Sequence, residues 1–310
     1  MAPLGCKPRL IVIVGPTGVG KTEIAIRLAS EWNGEIISAD SMQVYRMMDI
    51  GTAKPSTAER ARVRHHLIDV AYPHEQFNAS MFIHMARDII AALHDERKPI
   101  FVVGGTGLYI KTLLGGLFNG PGADARIRKF YRQELNRYGK EHLYNKLKET
   151  DGEAARKIDP NDAVRIIRAL EVRELSGESI VHKQTTHGFG DALYECCKIG
   201  LMTDRDHLYT AIDDRTDRMI QEGLLEEVKK LLASGYDEHL KPMQSLGYRH
   251  MVNYIKERCS YEESIRLMKR DTRRYAKRQM TWFKADREIE WISPDAIDLA
   301  RHKVESCLSF

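Results

Sequence analysis

Eight residues near the amino terminus, Gly15-Pro16-Thr17-Gly18-Val19-Gly20-Lys21-Thr22, fit the spacing G-x-x-x-x-G-K-[ST]. The chemistry open to such a run is to hold a phosphate. Its glycines let the backbone curl until successive N–H groups point at one anion. The amino end of a following helix adds partial positive charge. Lys21 contributes a mobile cation, and the Thr22 hydroxyl is a candidate Mg2+ ligand. The pattern carries weight only between a strand and a helix. Leu10-Ile11-Val12-Ile13-Val14 precedes it as a buried strand, and residues 23–32 follow as a helix packed through Ile24, Ile26, Leu28 and Ala29. The loop reads phosphates and not the group attached to them.

Three more candidates lie outside the loop. Asp40 follows an apolar run, residues 35–40, and so falls at the carboxyl end of a strand, where site chemistry gathers in open α/β sheets. It could be a general base, a metal ligand, or only a helix cap or structural hydrogen-bond acceptor. Ser41, Met42 and Gln43 come next to it. Thr106 follows Pro99-Ile100-Phe101-Val102-Val103 and Gly104-Gly105, and it could equally cap the helix it begins. Residues 206–234 read as one long helix capped by Asp206 and stopped by Gly235. Arg215 falls on its inward stripe with Leu208, Ile212 and Met219, while Arg218 is offset toward solvent. An inward guanidinium needs an anion, which a structural carboxylate or a bound phosphate would supply.

The positioning elements alternate strand and helix. Strands are expected at residues 10–14, 35–40, 66–70, 99–103 and 197–202, and helices at 77–94 and 106–114. That alternation predicts an α/β fold, a P-loop NTPase-like parallel sheet flanked by helices. Residues 126–137, 141–150, 153–158 and 162–175 read as helices with no strand between them, which predicts an all-helical insertion. The domains are therefore expected as a discontinuous core, 1–115 with 196–310, and an insertion, 116–195. Residues 182–190 read as a polar loop.

Composition narrows the class. No apolar run approaches a membrane span, and residues 1–9 are too few for a signal peptide. Cys6, Cys196, Cys197, Cys259 and Cys307 show no C-x-x-C spacing, which suits a reducing cytoplasm and argues against a zinc site. The net charge of +4 is modest, but its distribution is uneven. Arg266, Lys269, Arg270, Arg273, Arg274, Lys277, Arg278, Lys284 and Arg287 crowd one stretch, opposed only by Asp271 and Asp286 and interleaved with Tyr275, Trp282 and Phe283. Arg126, Arg128, Lys129, Arg132 and Arg137 form a second cluster. Two such clusters favour a polyanionic partner.

The residues together resemble the bacterial tRNA dimethylallyltransferases along nearly the whole chain. The resemblance rests on the phosphate loop, on Ser38-Ala39-Asp40-Ser41-Met42-Gln43-Val44-Tyr45-Arg46 and on Asp49-Ile50-Gly51-Thr52-Ala53-Lys54-Pro55. It continues through Gly104-Gly105-Thr106-Gly107-Leu108-Tyr109, Arg168-Ala169-Leu170-Glu171-Val172, Ser245-Leu246-Gly247-Tyr248-Arg249 and Lys277-Arg278-Gln279-Met280-Thr281-Trp282-Phe283. It implies a nucleotide-binding (ATP-binding) type of loop put to use in tRNA processing. A dimethylallyl group would pass from dimethylallyl diphosphate to N6 of adenosine 37, 3′ to the anticodon, in tRNAs that read codons beginning with U. Pyrophosphate would leave, with Mg2+ at Thr22 as cofactor. Asp40 would be the base, and Lys21 and Arg215 the cations on the leaving group. Contacts to the tRNA anticodon stem-loop would come from Asp40, Ser41, Met42, Gln43, Thr106, Arg128, Val164, Arg165, Ile166, Ile167 and Arg168. Further contacts would come from Gln244, Ser245, Leu246, Gly247, Tyr248, Arg249, Lys277, Arg278, Gln279, Met280, Thr281, Trp282, Phe283 and Lys284. A cytoplasmic monomer without a membrane partner is expected. One departure is Ala211, where the family often has Arg; it leaves Arg215 with less positive charge beside it. The alternatives are a P-loop small-molecule kinase, an adenylate prenyltransferase acting on a free nucleotide, and a non-enzymatic RNA-binding module.

Overall fold

The structure is a computed structural model that describes residues 7–116, 120–187 and 193–309. It divides into two compact units, Met1–Leu114 with Ala192–Phe310, and Gly115–Asp191. The first unit is built on a six-stranded parallel sheet of order β3-β2-β4-β1-β5-β6. Its strands are β1 (Arg9–Val14), β2 (Glu35–Ser38), β3 (His65–His66), β4 (Ile100–Gly104), β5 (Glu195–Leu201) and β6 (Glu290–Ile292). Strand β1 sits at the switch point, flanked by β4 and β5. Val14 lies level with Gly104 on one side and with Gly200 on the other. Ser38 lies level with Val103, so residues 39 and 40 leave the sheet beside Gly104. The exits of β1, β2 and β4 thus open at one edge, the place where α/β sheets put their ligands.

Helix α1 (Lys21–Glu31) begins directly at the phosphate loop and buries Ile24, Ala25, Ile26, Leu28 and Ala29 against one sheet face. The opposite face is covered by α3 (Ala79–Asp95), α10 (Leu224–Ala233) and α11 (Tyr248–Ile255), whose Phe82, Ile90, Val228 and Met251 join Val12, Ile37 and Val102. Helices α2 (Thr57–Arg62) and α4 (Gly107–Gly115) follow β2 and β4, and α9 (Arg205–Gln221) and α12 (Tyr261–Phe283) border the site.

Several expected boundaries are corrected. The helix expected over residues 206–234 is two helices. Asp204, not Asp206, caps α9 by accepting from Asp206 N and His207 N, and the chain turns at Gly223 (φ 98°) before α10. The third strand stops at His66 because Leu67 (φ 61°) and Asp69 (φ 58°) take left-handed backbone that cannot continue an extended ladder. Strand β2 ends at Ser38, two residues early. The helix expected from residue 77 starts at Ala79, capped by Asn78, and its face is Phe82, Ile83, Ala86, Ile90 and Leu93, with Ala92 exposed. Strand β6 and helix α13 (Ile297–Leu308) were not legible in the sequence.

The second unit is helical throughout its described residues: α5 (Ala125–Thr150), α6 (Gly152–Lys157), α7 (Ala163–Ser176) and α8 (Ile180–His187). Gly139 (φ 83°) interrupts α5, which accounts for the two helices expected there. Tyr131, Leu143, Leu147, Ile166 and Leu170 form its core. Helix α8 replaces the first part of the loop expected at residues 182–190. Residues 188–190 lie outside the described residues, as do residues 1–6, Cys6 among them.

Candidate active site

The phosphate loop is shaped by what it must approach. A Cβ on Gly18 (φ 85°) would lie 2.9 Å from Ile212 Cγ1 on α9, and Gly20 (φ 93°) stands at the amino end of α1 with no side-chain cap. The first N–H groups of α1 are therefore left for an anion. Lys21 folds back on its own loop and donates to Pro16 O at 2.7 Å. The loop is braced from outside by Gln279 of α12. Its Oε1 accepts from Thr17 N at 2.8 Å, and its Nε2 donates to Gly105 O at 3.0 Å. A Cβ on Gly105 would meet that Nε2 at 2.2 Å, so only glycine permits the bridge.

Asp40 stands beside this loop. Its Oδ1 accepts from Met42 N at 2.8 Å and Gln43 N at 3.3 Å, an Asx-type turn that fixes the carboxylate plane and leaves Oδ2 without a hydrogen bond among the described residues. Thr106 Oγ1 accepts from Ser41 N at 3.0 Å, tying the exit of β4 to the exit of β2. Gln43 holds the next layer. Its Oε1 accepts from Ser38 Oγ at 3.0 Å, and its Nε2 donates to Ala53 O at 3.2 Å and to Thr52 O at 3.4 Å.

Lys21, Thr22, Asp40, Arg215, Arg249 and Gln279 all line one cavity of about 390 Å3. Burial lowers the Lys21 ammonium to about 7, helped by the Arg215 guanidinium and opposed by Asp40. Burial also lowers Arg215, whose charge the Asp40 carboxylate favours. Two cations and one carboxylate thus share a partly dry space. That arrangement suits an incoming dianion next to a group that accepts a proton. Arg215 falls where helical spacing put it, between buried Ile212 and Met219, and Arg218 is exposed.

The remaining candidates separate into two kinds. Gln244, Lys277, Arg278, Thr281, Trp282 and Lys284 are exposed, as are Val164 and Arg165 in the helical unit, while Ser245, Leu246 and Met280 are half-buried. Six of the expected contact residues, Ile166, Ile167, Gly247, Tyr248, Gln279 and Phe283, are buried, and of these Gln279 lines the cavity. Arg128 and Arg168 are both paired with one carboxylate. Arg128 forks onto Glu171 at 2.8 and 2.9 Å and Arg168 reaches it at 2.5 Å, with Glu171 fully buried.

The basic stretch on α12 is also partly neutralised. Arg266 pairs with Glu263, Lys269 with Asp217, Arg270 with Asp271 and Arg273 with Asp213. Lys277, Arg278, Lys284 and Arg287 form no ion pair among the described residues, so the uncommitted charge lies at the carboxyl end of the helix. Sequence reasoning assigned no role to Tyr275 and passed over Lys241, Thr272 and Ser38, which also line the cavity. The bracing role of Gln279 was readable in principle. It is an uncharged residue in a basic helix, spaced by three and four from the buried Ala276 and Phe283.

The fold and site together define a P-loop-like α/β protein with a helical insertion and a cavity lined by two cations and a carboxylate. The comparisons with known proteins agree. The chain belongs to the IPP transferase family, whose model matches residues 43–286. It is 56% identical over 288 residues to tRNA dimethylallyltransferase 2 of Syntrophus aciditrophicus, covering 93% of each chain. It is 48% identical over 301 residues to tRNA dimethylallyltransferase 2 of Geotalea uraniireducens, covering 96% of this chain and 97% of that one. Among solved structures, the tRNA isopentenylpyrophosphate transferase of Bacillus halodurans superposes with a TM-score of 0.73 at 39% identity, over 98% and 97% of the two chains. A eukaryotic dimethylallyltransferase studied acting on tRNA gives 0.74 at 29% identity, over 92% of this chain and 73% of that one.

Proposed function

We propose that this protein is a tRNA dimethylallyltransferase, which moves the prenyl group of dimethylallyl diphosphate onto N6 of adenosine 37 in tRNAs that read codons beginning with U. The observation that carries the reading is the placing of Asp40, with one carboxylate oxygen locked by Met42 N and Gln43 N, in the same cavity as Lys21 and Arg215. The diphosphate sits on the N–H groups at the start of α1. Lys21 leaves Pro16 O to meet it, and Arg215 faces it from α9. As the C–O bond breaks, negative charge grows on the departing pyrophosphate, and these two cations stabilise it. Asp40 orients the exocyclic amine and takes its proton through the free Oδ2 as the C–N bond forms. A strong base is not required, because the N–H becomes acidic only as nitrogen bonds to carbon.

Mg2+ fits this site in a limited way. Thr22 lines the cavity next to Lys21, and no group of three or more His, Cys, Asp or Glu suited to a metal occurs among the described residues. That donor set suits an ion carried on diphosphate oxygens with Thr22 as its protein ligand, and such an ion would add positive charge on the leaving group. The RNA is held by the uncommitted cations Lys277, Arg278 and Lys284, with Trp282, 41% exposed, offering a ring for stacking. No helix among the described residues is long and apolar enough to cross a membrane, and we propose cytoplasmic action as a monomer. One assay tests the reading. The protein is offered dimethylallyl diphosphate with a labelled prenyl group, or γ-labelled ATP, together with tRNA or AMP. Prenyl label on tRNA is the expected outcome. Label on AMP, or transfer from ATP alone, would replace the reading with one of the alternatives.

A further inference from the structure

Among the described residues, the Glu227 carboxylate on α10 is held without any cation. Its Oε2 accepts from Asp49 N and Ile50 N, each at 2.9 Å. Its Oε1 accepts from Gly51 N at 3.2 Å and from the Tyr248 hydroxyl at 2.6 Å. Three consecutive backbone N–H groups and one phenol therefore converge on one side chain. The Tyr248 ring lies directly on Gly51, where a Cβ would come within 2.4 Å of Cε2, so the two segments touch with nothing between them.

Both segments are walls of the cavity. Gly51, Thr52, Ala53 and Pro55 of the first segment line it, and so do Gln244, Ser245, Leu246 and Arg249, which bracket Tyr248. The first wall is also tied to the base. Gln43 donates to Thr52 O and Ala53 O, and Gln43 N in turn donates to Asp40 Oδ1. We infer that Glu227 is a positioning residue for the acceptor half of the site. It sets the spacing of the two walls that receive the adenine and, through Gln43, holds the Asp40 carboxylate in its reactive orientation. This rests on the reading that Asp40 meets the amine. The phosphate loop shares none of these bonds, so donor binding is independent of Glu227.

The test is Glu227→Gln, which keeps the shape but turns an NH2 group toward donors. Two of the four hydrogen bonds are lost if the NH2 faces Asp49 N and Ile50 N; if it faces Tyr248, whose hydroxyl can turn to accept, only the bond from Gly51 N is lost. Three quantities are measured on the full chain: donor affinity by calorimetry, tRNA affinity, and the single-turnover rate with labelled dimethylallyl diphosphate, normalised to titrated active sites. The single-turnover rate should fall by about 10- to 100-fold, the loss that a misplacement of about 1 Å produces. Donor affinity should stay within about twofold, because its ligands are untouched. If Glu227→Gln does not unfold cooperatively, Glu227→Asp serves instead. It keeps the charge but withdraws it by one methylene, and the same split is expected with a smaller loss. A folded variant with a rate within about twofold of wild type overturns the inference. So does a loss matched by an equal loss of donor affinity, or one confined to fewer active sites. The wild-type protein run alongside separates the two ideas: if it moves no prenyl label to tRNA, the functional reading has failed rather than the role of Glu227.

Discussion

Replacing Lys21 by Gln should abolish a proton uptake that accompanies donor binding. In the free protein the Lys21 ammonium is lowered to about 7, first by burial and then by the Arg215 guanidinium. At pH 8 about nine in ten copies are then neutral, at pH 7 about half, and at pH 6 about one in ten. A diphosphate beside the amine adds negative charge within contact distance and raises its pKa by one to several units. Binding should therefore draw in up to about 0.9 proton at pH 8, up to about 0.5 at pH 7 and about 0.1 at pH 6, and about 0.4 at pH 8 if the rise is only about one unit. Affinity should fall toward tenfold per pH unit above 7, because the free protein must first be protonated. The assay is calorimetric titration of dimethylallyl diphosphate, without tRNA, in buffers of different ionisation enthalpy. Phosphate groups themselves titrate near about pH 6, so the informative quantity is the difference between wild type and Lys21→Gln. A difference below about 0.2 proton at pH 8 would refute the argument that this lysine is held neutral by its surroundings. The sign for stability follows from the same shift. Lys21 ordinarily titrates at 10.5, and the folded chain binds fewer protons than the unfolded chain between about 7 and 10.5. The cost of burying the ammonium is present in full below about pH 7 and fades as pH rises toward 10.5. Lys21→Met should accordingly raise Tm more at pH 6 than at pH 10.

Other expectations follow from single contacts. Asp40→Ala should lower the single-turnover rate by roughly 10²–10⁴-fold with donor affinity nearly kept; near-normal turnover would remove Asp40 from the role of base. Arg215→Ala should reduce kcat more than it raises the donor KM, because pyrophosphate charge grows during bond breaking, whereas a variant that only unfolds more easily would make Arg215 a structural ion. Gln279→Leu leaves Thr17 N and Gly105 O without their partner and should cost about 1–3 kcal/mol in urea unfolding, with weakened donor binding; unchanged stability would show that the brace carries no load. Lys277→Gln with Arg278→Gln should lower the log–log salt slope of tRNA binding by about 0.7–0.9 per residue, while Arg273→Gln, already paired with Asp213 at 3.0 Å, should change it less. Equal slopes for the two sets would mean that the ion pairs along α12 open when RNA binds.

The phosphate loop, the parallel sheet, the helical insertion and the inward place of Arg215 are legible in the chain before it folds. Each is a local signal. Glycine and lysine spacing, apolar runs ended by glycine, and a cation on an apolar helical stripe can be read within about twenty residues. Periodicity failed where conformation depended on a single backbone angle. Gly223 splits α9 from α10, and left-handed Leu67 and Asp69 end β3, although the flanking apolar pattern runs on. Strand β6 has only three residues and pairs only with β5, so its identity comes from a partner about ninety positions earlier in the chain. Tertiary structure alone decided which charges are free. Arg128 and Arg168 look like RNA ligands beside Lys277 and Arg278, but Glu171 is buried between the first two and compels their pairing, since an unpaired buried carboxylate is costly. It also decided what Gln279 and Glu227 do. Their partners are separated from them by 262 and 174 positions for Gln279 and by up to 178 for Glu227. Hydrogen bonds over such separations leave no periodic trace in a chain, because they exist only once the sheet has brought the exits of β1, β2 and β4 to one edge.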